Sequence, residues 1–183
     1  MKTIALFVLF GVLFACGSAT SSTGAQRTIE VASATNTPLP SYRTYRFGFA
    51  EQPPAGFQVS SRALDVEQKM RDLVAAVLQR KGFEQVDAKS DFVVRLSAGT
   101  MREEVSKVAP DGVESEHVLR GEIVINAYDS NKETQLWHGA ATAVINPDRI
   151  NDARLQTAVE QIMSSFPPRT VGRASPPAAS AAP

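Results

Sequence analysis

Between Phe92 and Ile145 apolar and polar residues alternate with a period of two in successive runs, which restricts this half of the chain to strands of a half-buried sheet. The first run sets Phe92, Val94, Leu96 and Ala98 against Val93, Arg95 and Ser97. It continues through Met101 to Val105, where Arg102, Glu103 and Glu104 carry it out of the core. Ala109-Pro110-Asp111-Gly112 is a turn, because proline presets its backbone angle and glycine accepts the positive one. The chain then doubles back through His117 to Tyr128, with Leu119, Gly121, Ile123, Ile125 and Ala127 on one face and Arg120, Glu122 and Asn126 on the other. Ser130-Asn131-Lys132 turns it again into a last strand, Gln135 to Ile145.

The pleat predicts a register for the last two strands. With Asp129 opposite Glu133 across a three-residue loop, Ile125 opposes Trp137, Ile123 opposes Gly139, Gly121 opposes Ala141 and Leu119 opposes Ala143. Gly121, Gly139, Ala141 and Ala143 then line a shallow trough that suits the close approach of a helix.

Two helical patterns accompany the strands. From Asp65 to Lys81 the residues Val66, Met70, Leu73, Val74, Val77 and Leu78 form one apolar stripe, with Asp65 and Gln68 as a capping pair and Gly82 as the left-handed stop. From Asp152 to Phe166 the stripe is Leu155, Val159, Ile162 and Phe166, and Pro167 ends it. Upstream, Thr28 to Ala32 reads as a short strand, and Tyr42 to Phe49 as a stronger one with Tyr45, Phe47 and Phe49 on one face. The order predicts an α+β fold: a mostly antiparallel β-sheet of about five strands with two α-helices packed on one face. The strand-helix-strand step across residues 42–98 is either a parallel crossover or a link between non-adjacent strands.

The N-terminus carries the most specific chemistry. Lys2 precedes an apolar run, Ile4 to Ala15, of about a dozen residues, shorter than the roughly 18 to 20 needed to span a bilayer as a helix. It reads as a signal peptide, and it closes at the single cysteine of the chain, Cys16. Leu13-Phe14-Ala15-Cys16 resembles the lipobox of bacterial lipoproteins, with Phe14 standing where a small residue is usual. The resemblance implies cleavage before Cys16, a diacylglycerol on its thiol and an acyl group on its new amine. Gly17, in place of an aspartate, implies the outer membrane and a domain facing the periplasm. Cleavage after Ala19, at Gly17-Ser18-Ala19, is the alternative, and it would leave a soluble periplasmic protein.

These features divide the chain into a signal peptide (1–15), a flexible Ser/Thr/Gly tether after the lipidated cysteine (16–26), a single α+β domain (27–168) and a disordered Pro/Ala/Ser-rich tail (169–183). Nineteen basic and nineteen acidic residues balance and are interspersed, so there is no basic stripe for nucleic acid. With Cys16 committed to lipid, the fold rests on its hydrophobic core without a disulfide.

The ordered motifs Tyr42-Arg43-Thr44-Tyr45, Lys81-Gly82-Phe83, Asp91-Phe92-Val93-Val94, Gly121-Glu122-Ile123-Val124-Ile125, Trp137-His138-Gly139 and Phe166-Pro167-Pro168 resemble a family of bacterial lipoproteins, the domain-of-unknown-function family 4136. The resemblance covers about residues 27 to 168. It implies the fold and the envelope address, and no reaction, cofactor or catalytic residue.

Among chemistry-bearing side chains, His117 and His138 stand on adjacent strands about 20 Å apart at ~3.3 Å per residue, too far to share a metal. His138 falls on the open sheet face, Trp137 on the core face, and Asp91 at a turn or cap. Glu103, Glu104, Glu114 and Glu116 cluster around the Pro110 turn as a solvated tip that could also meet a cation or a basic partner. No metal site, cofactor motif or catalytic constellation is present in the sequence. The expected function is a non-enzymatic, lipid-anchored binding or structural module of the cell envelope. Its contacts with an envelope protein or apolar ligand are expected at Trp137, His138 and Tyr128, near Val124, or along the hairpin around Pro110. The alternative is a carrier of a small apolar molecule or lipid, held between the helices and the trough under Trp137; a hydrolase is a more distant one.

Overall fold

The computed structural model describes residues 29–35, 39, 42–59, 62–110, 112–146 and 152–169. The expected signal peptide, Cys16, its tether, and all of the expected tail but Arg169 lie outside these residues. No described helix is long and apolar enough to cross a membrane.

The three alternating runs form β4 (Phe92–Ala109), β5 (Gly112–Asp129) and β6 (Gln135–Ile145), paired antiparallel. β1 (Glu30–Thr35) adds to β6 antiparallel, while β2 (Thr44–Phe47) lies parallel to β4 on the other side and carries β3 (Glu84–Gln85) outside it. The sheet order is β1-β6-β5-β4-β2-β3, six strands where about five were expected, the addition being the two-residue β3. The step through α1 (Ala63–Arg80) is therefore a parallel crossover between adjacent strands. α2 (Asp152–Ser164) closes the order.

Both helices cover one face of the sheet. Met70, Val74, Val77 and Leu78 of α1, with Val159, Ile162 and Met163 of α2, meet Phe92, Val94, Leu96, Ile125, Ala127 and Trp137 in one buried cluster. Rings bind its centre: Tyr45 to Phe92 at 5.8 Å, Phe92 to Phe83 at 5.4 Å, Phe83 to Phe166 at 5.7 Å and Phe166 to Trp137 at 5.0 Å. Tyr45 and Phe92 are stacked and the other three pairs are edge-to-face, and aromatic pairs of either kind add about 0.5–1.5 kcal/mol beyond the area they bury.

Several local expectations change. α1 starts two residues early, so Arg62 is its N-cap with no side-chain bond, Asp65 sits within the first turn, and Gln68 donates to Asp72 instead of closing a capping box. Gly82 does supply the left-handed stop, at φ 91°. β2 ends at Phe47, so Phe49 leaves the face it was expected to share and stands 95% exposed.

The β5–β6 register differs by two residues. Ile125 pairs with Gly139, Ile123 with Ala141, Gly121 with Ala143, and Trp137 stands opposite Ala127. The loop is longer than three residues: Asp129 N–H donates to Thr134 O at 2.9 Å, Glu133 adopts φ 53°, and a bulge follows at Ala127/Tyr128. Asp129 Oδ1 holds the turn by accepting from Asn131 and Lys132 N–H at 2.8 and 2.9 Å. A slip of two leaves every side chain on its expected face, since the side-chain period is two.

Gly139 is where this register bears weight. The Trp137 ring and Ile162 of α2 lie directly over it, in the space a Cβ would need. Gly139→Ala is predicted to destabilise the domain by about 1–3 kcal/mol, since neither backbone nor ring can yield without repacking α2. Urea denaturation of the full-length protein measures it.

Candidate functional site

The face away from the helices is the one the sequence leaves open, and the chain partly covers it. After β2, residues 48–58 run along the β4 edge: Gly48 N–H donates to Val94 O, Glu51 N–H to Leu96 O and Gln58 N–H to Thr100 O, at 2.8 to 2.9 Å. Pro53 and Phe57 press onto Gly99, where a Cβ would come within 2.7 and 2.8 Å of them. Val93, Ser97, Val124 and Asn126 are buried on this face, and Val124 lines a shallow hollow there.

This strap delivers Glu51 to a polar cluster. Asn126 donates from Nδ2 to Glu51 Oε2 and accepts on Oδ1 from Gln135 Nε2 at 3.1 Å, with His138 Nδ1 2.7 Å away. An Asn126 oxygen that faces Nδ1 requires the hydrogen on Nδ1, and in the neutral ring Nε2 is then the acceptor. Arg95 lies 3.7 Å from Glu51 and stacks its guanidinium 4.8 Å from the Tyr128 ring centre. Burial, then the hydrogen bond with Glu51, pushes the Tyr128 hydroxyl above its ordinary pKa. Glu122, further along β5, is also pushed up by burial. Glu51, Gln52, Ser97, Val124, Glu122 and His138 surround a shallow hollow here, part polar and part apolar.

Tyr128 and His138 are thus brought into one network, as half-buried residues on one face. Trp137 is not part of it. It is fully buried on the opposite face, and its Nε1 meets no acceptor among the described residues, so it is core and not a contact. His138 pairs with Asn126, not Val124, and lies nine residues along β5 from His117, roughly 30 Å at ~3.3 Å per residue. Among the described residues no three His, Cys, Asp or Glu side chains are grouped to hold a metal.

The trough of small residues is half filled. Val159 and Ile162 pack the part under Trp137. Among the described residues the other half is a cleft of about 130 Å³ over Ala98, Gly121, Ile123, Ala141 and Ala143, walled by Val66 of α1 and Leu155 of α2.

Two carboxylates act structurally where β2 enters the sheet. Burial pushes Asp91 up, but the N–H groups of Thr44 and Arg43 and the Thr44 hydroxyl, all donating to Oδ2, outweigh it and hold the carboxyl below its ordinary value. Asp91 is the turn and cap residue the sequence suggests. Asp129 is lowered first by the Tyr42 hydroxyl, 2.5 Å from Oδ2, and then by the turn N–H groups. The same bond and burial raise Tyr42 to about 12. Neither the Tyr42–Asp129 bond nor the recruitment of Glu51 and Arg95 has a periodic signal that sequence reasoning could have found.

The model of the domain of unknown function DUF4136 matches residues 30–168, which is the whole described sheet with both helices. The chain belongs to the DUF4136 family. No curated protein matches it. Among solved structures, a PDZ domain protein from Parabacteroides distasonis superposes with a TM-score of 0.53 at 12% identity, over 81% of this chain. The DUF4136 chain spans 38% of that neighbour's length, so the likeness is one of fold alone. A DUF4136 family protein from Bacteroides thetaiotaomicron is similar at a TM-score of 0.42 and 10% identity, covering 75% of this chain and 95% of its own. Lipoprotein GNA1162 from Neisseria meningitidis stands at 0.39 and 13%, covering 68% and 97%.

The Tyr42–Asp129 pair gives a pH prediction. Tyr42 is raised in the folded state, so its contribution is complete below the ordinary value of 10.0 and is lost as pH rises through about 12. Asp129 is lowered, so its contribution is present above the ordinary carboxylate range and is lost as pH falls through its folded value. Tyr42→Phe should lower stability at neutral pH and remove the loss between about pH 10 and 12, read from urea midpoints across that range.

Proposed function

We propose that this DUF4136 protein is a lipid-anchored lipoprotein of the cell envelope, acylated at Cys16 and facing the periplasm from the outer membrane. The observation that carries this reading is the position of the single cysteine at the end of a short apolar run, preceded by Leu13 and Ala15. One acyl chain holds a protein marginally and two or more hold it stably, at about 0.8 kcal/mol per buried methylene. Twelve residues, Gly17 to Thr28, lie between Cys16 and Ile29.

In this reading the domain binds and does not catalyse. The Tyr128–His138 network offers fixed polar groups, with His138 Nε2 as an acceptor and Tyr128 beside Arg95, and the β4–β5 hairpin offers a long exposed edge to an envelope partner. The second reading, a carrier of a small apolar molecule, draws on the unfilled half of the trough. It moves the ligand away from Trp137, whose surroundings are packed.

Mass spectrometry of the mature protein from native membranes tests the anchor. The N-terminus is expected at Cys16 carrying the thioether lipid and the amide-linked acyl chain, and Cys16→Ala should abolish both. An unmodified chain beginning at Thr20 would sink the proposal.

A further inference from the structure

β4 and β5 continue well past their neighbours. β6 ends opposite Leu119, and on the other side the strap makes its last bridge at Thr100. Beyond them residues 102–109 pair with residues 112–119 alone, with no third strand among the described residues. At about 3.4 Å per residue this arm projects roughly 27 Å. A two-stranded ribbon is marginal by itself in water, and further strands are what stabilise one.

The outer side of β4 offers a place for one. Thr100 exchanges both of its backbone bonds with Gln58, and the carbonyls of Val94 and Leu96 accept from the strap, so even-numbered residues of β4 turn their N–H and C=O away from β5. The β4–β5 ladder runs on to the tip without a register shift, so Arg102, Glu104, Ser106 and Val108 turn theirs to the same open side. This edge carries neither a proline nor a bulge, two of the devices that keep an edge strand single.

The open stretch, residues 102–108, has its midpoint at Val105, and its sequence is complementary to itself about that point. Laid antiparallel on a second copy, it sets Val105 beside Val105, Glu103 beside Lys107, Glu104 beside Ser106 and Arg102 beside Val108. The first two of these pairings join odd-numbered residues, which share one face. Odd positions bond to β5, so toward the second copy they are the non-hydrogen-bonded ones, where partners approach most closely. On the even face Glu104 is diagonal to its own copy, two residues from Arg102 on each strand. The outer edge of β5 lacks this symmetry. Centred on Ser115 it would set Glu114 on Glu116, and centred on Glu116 it would set that residue on its own copy, like charge on like in both cases.

We propose that the open β4 edge of the arm pairs antiparallel with the same edge of a second copy, with Val105 on the two-fold axis. The two arms then form one four-stranded ribbon, each tip reaching the strap of the other copy. Each β4 edge covers the other, so the contact is isologous and closes at two chains. This names the partner of the hairpin edge and does not depend on acylation of Cys16.

The test is disulfide trapping of the purified full chain with Cys16→Ala, which leaves no other thiol. Val105→Cys should link to its own copy under mild oxidation, since non-hydrogen-bonded partners stand ~4.5 Å apart at Cα, within the span of a disulfide. Val113→Cys should not, because its two copies would lie roughly 25 Å apart at ~4.8 Å per strand and ~3.4 Å per residue. Val113 is 71% exposed, so chance collision would favour it. Ser106→Pro removes an N–H that points to the partner and none that bonds β5, so it should reduce the Val105→Cys dimer about ten-fold or more. Fluorescence of the buried Trp137 checks that each variant is folded. No Val105→Cys dimer, equal linkage through Val113→Cys, or insensitivity to Ser106→Pro would each overturn the proposal. Sedimentation of the wild-type full chain should give twice the chain mass, and a monomer at all concentrations would overturn it as well.

Discussion

A tryptophan ring lying over a glycine sets the depth at which α2 meets the sheet. With no side chain at Gly139, the Trp137 ring and Ile162 occupy the same shallow place, and Phe166 closes on the ring edge. From there contacts pass through Phe83 and Phe92 to Tyr45, which joins both helix ends to the parallel strand β2. The aromatic chain crosses the long connection between β2 and β4, where loop-closure entropy is greatest. Asp91 reinforces the same junction from its rim, accepting from Arg43 and Thr44 before β4 begins.

One consequence of that close approach is uneven filling. α2 is seated tightly at its C-terminal half, against Trp137, and its N-terminal half stands off from the alanines and glycine of the trough. The cleft follows from the taper between two helix starts and a floor with little side-chain volume.

Much of the fold was legible because period-two and period-3.6 patterns report burial, and burial here is one-sided. Met70, Val74 and Leu78 in α1, and Leu96, Ile125 and Ala127 in the sheet, lie where their spacing placed them. What the patterns do not report is pairing. The β5–β6 register turned on Glu133 adopting a left-handed backbone without glycine or asparagine, and on a bulge at Ala127/Tyr128, neither of which alters alternation. The candidate site suffered more, because it depends on register and on an aperiodic strap. His138 meets Asn126 through the shifted pairing, and Glu51 arrives on a proline-rich segment that reads as a plain loop. Trp137 was assigned both to the core and to a contact, and its complete burial decides for the core.

The edge strand β1 has a mechanical meaning. It runs antiparallel to β6, with Glu30 beside Thr142 and Thr35 beside Trp137, so a force applied to Glu30 along the strand axis would load the ladder in shear. All six residue pairs then share the load in shear, and none is peeled open in turn. Every residue of β1 is exposed and adds little to the core, so the ladder to β6 is what holds the strand to the sheet.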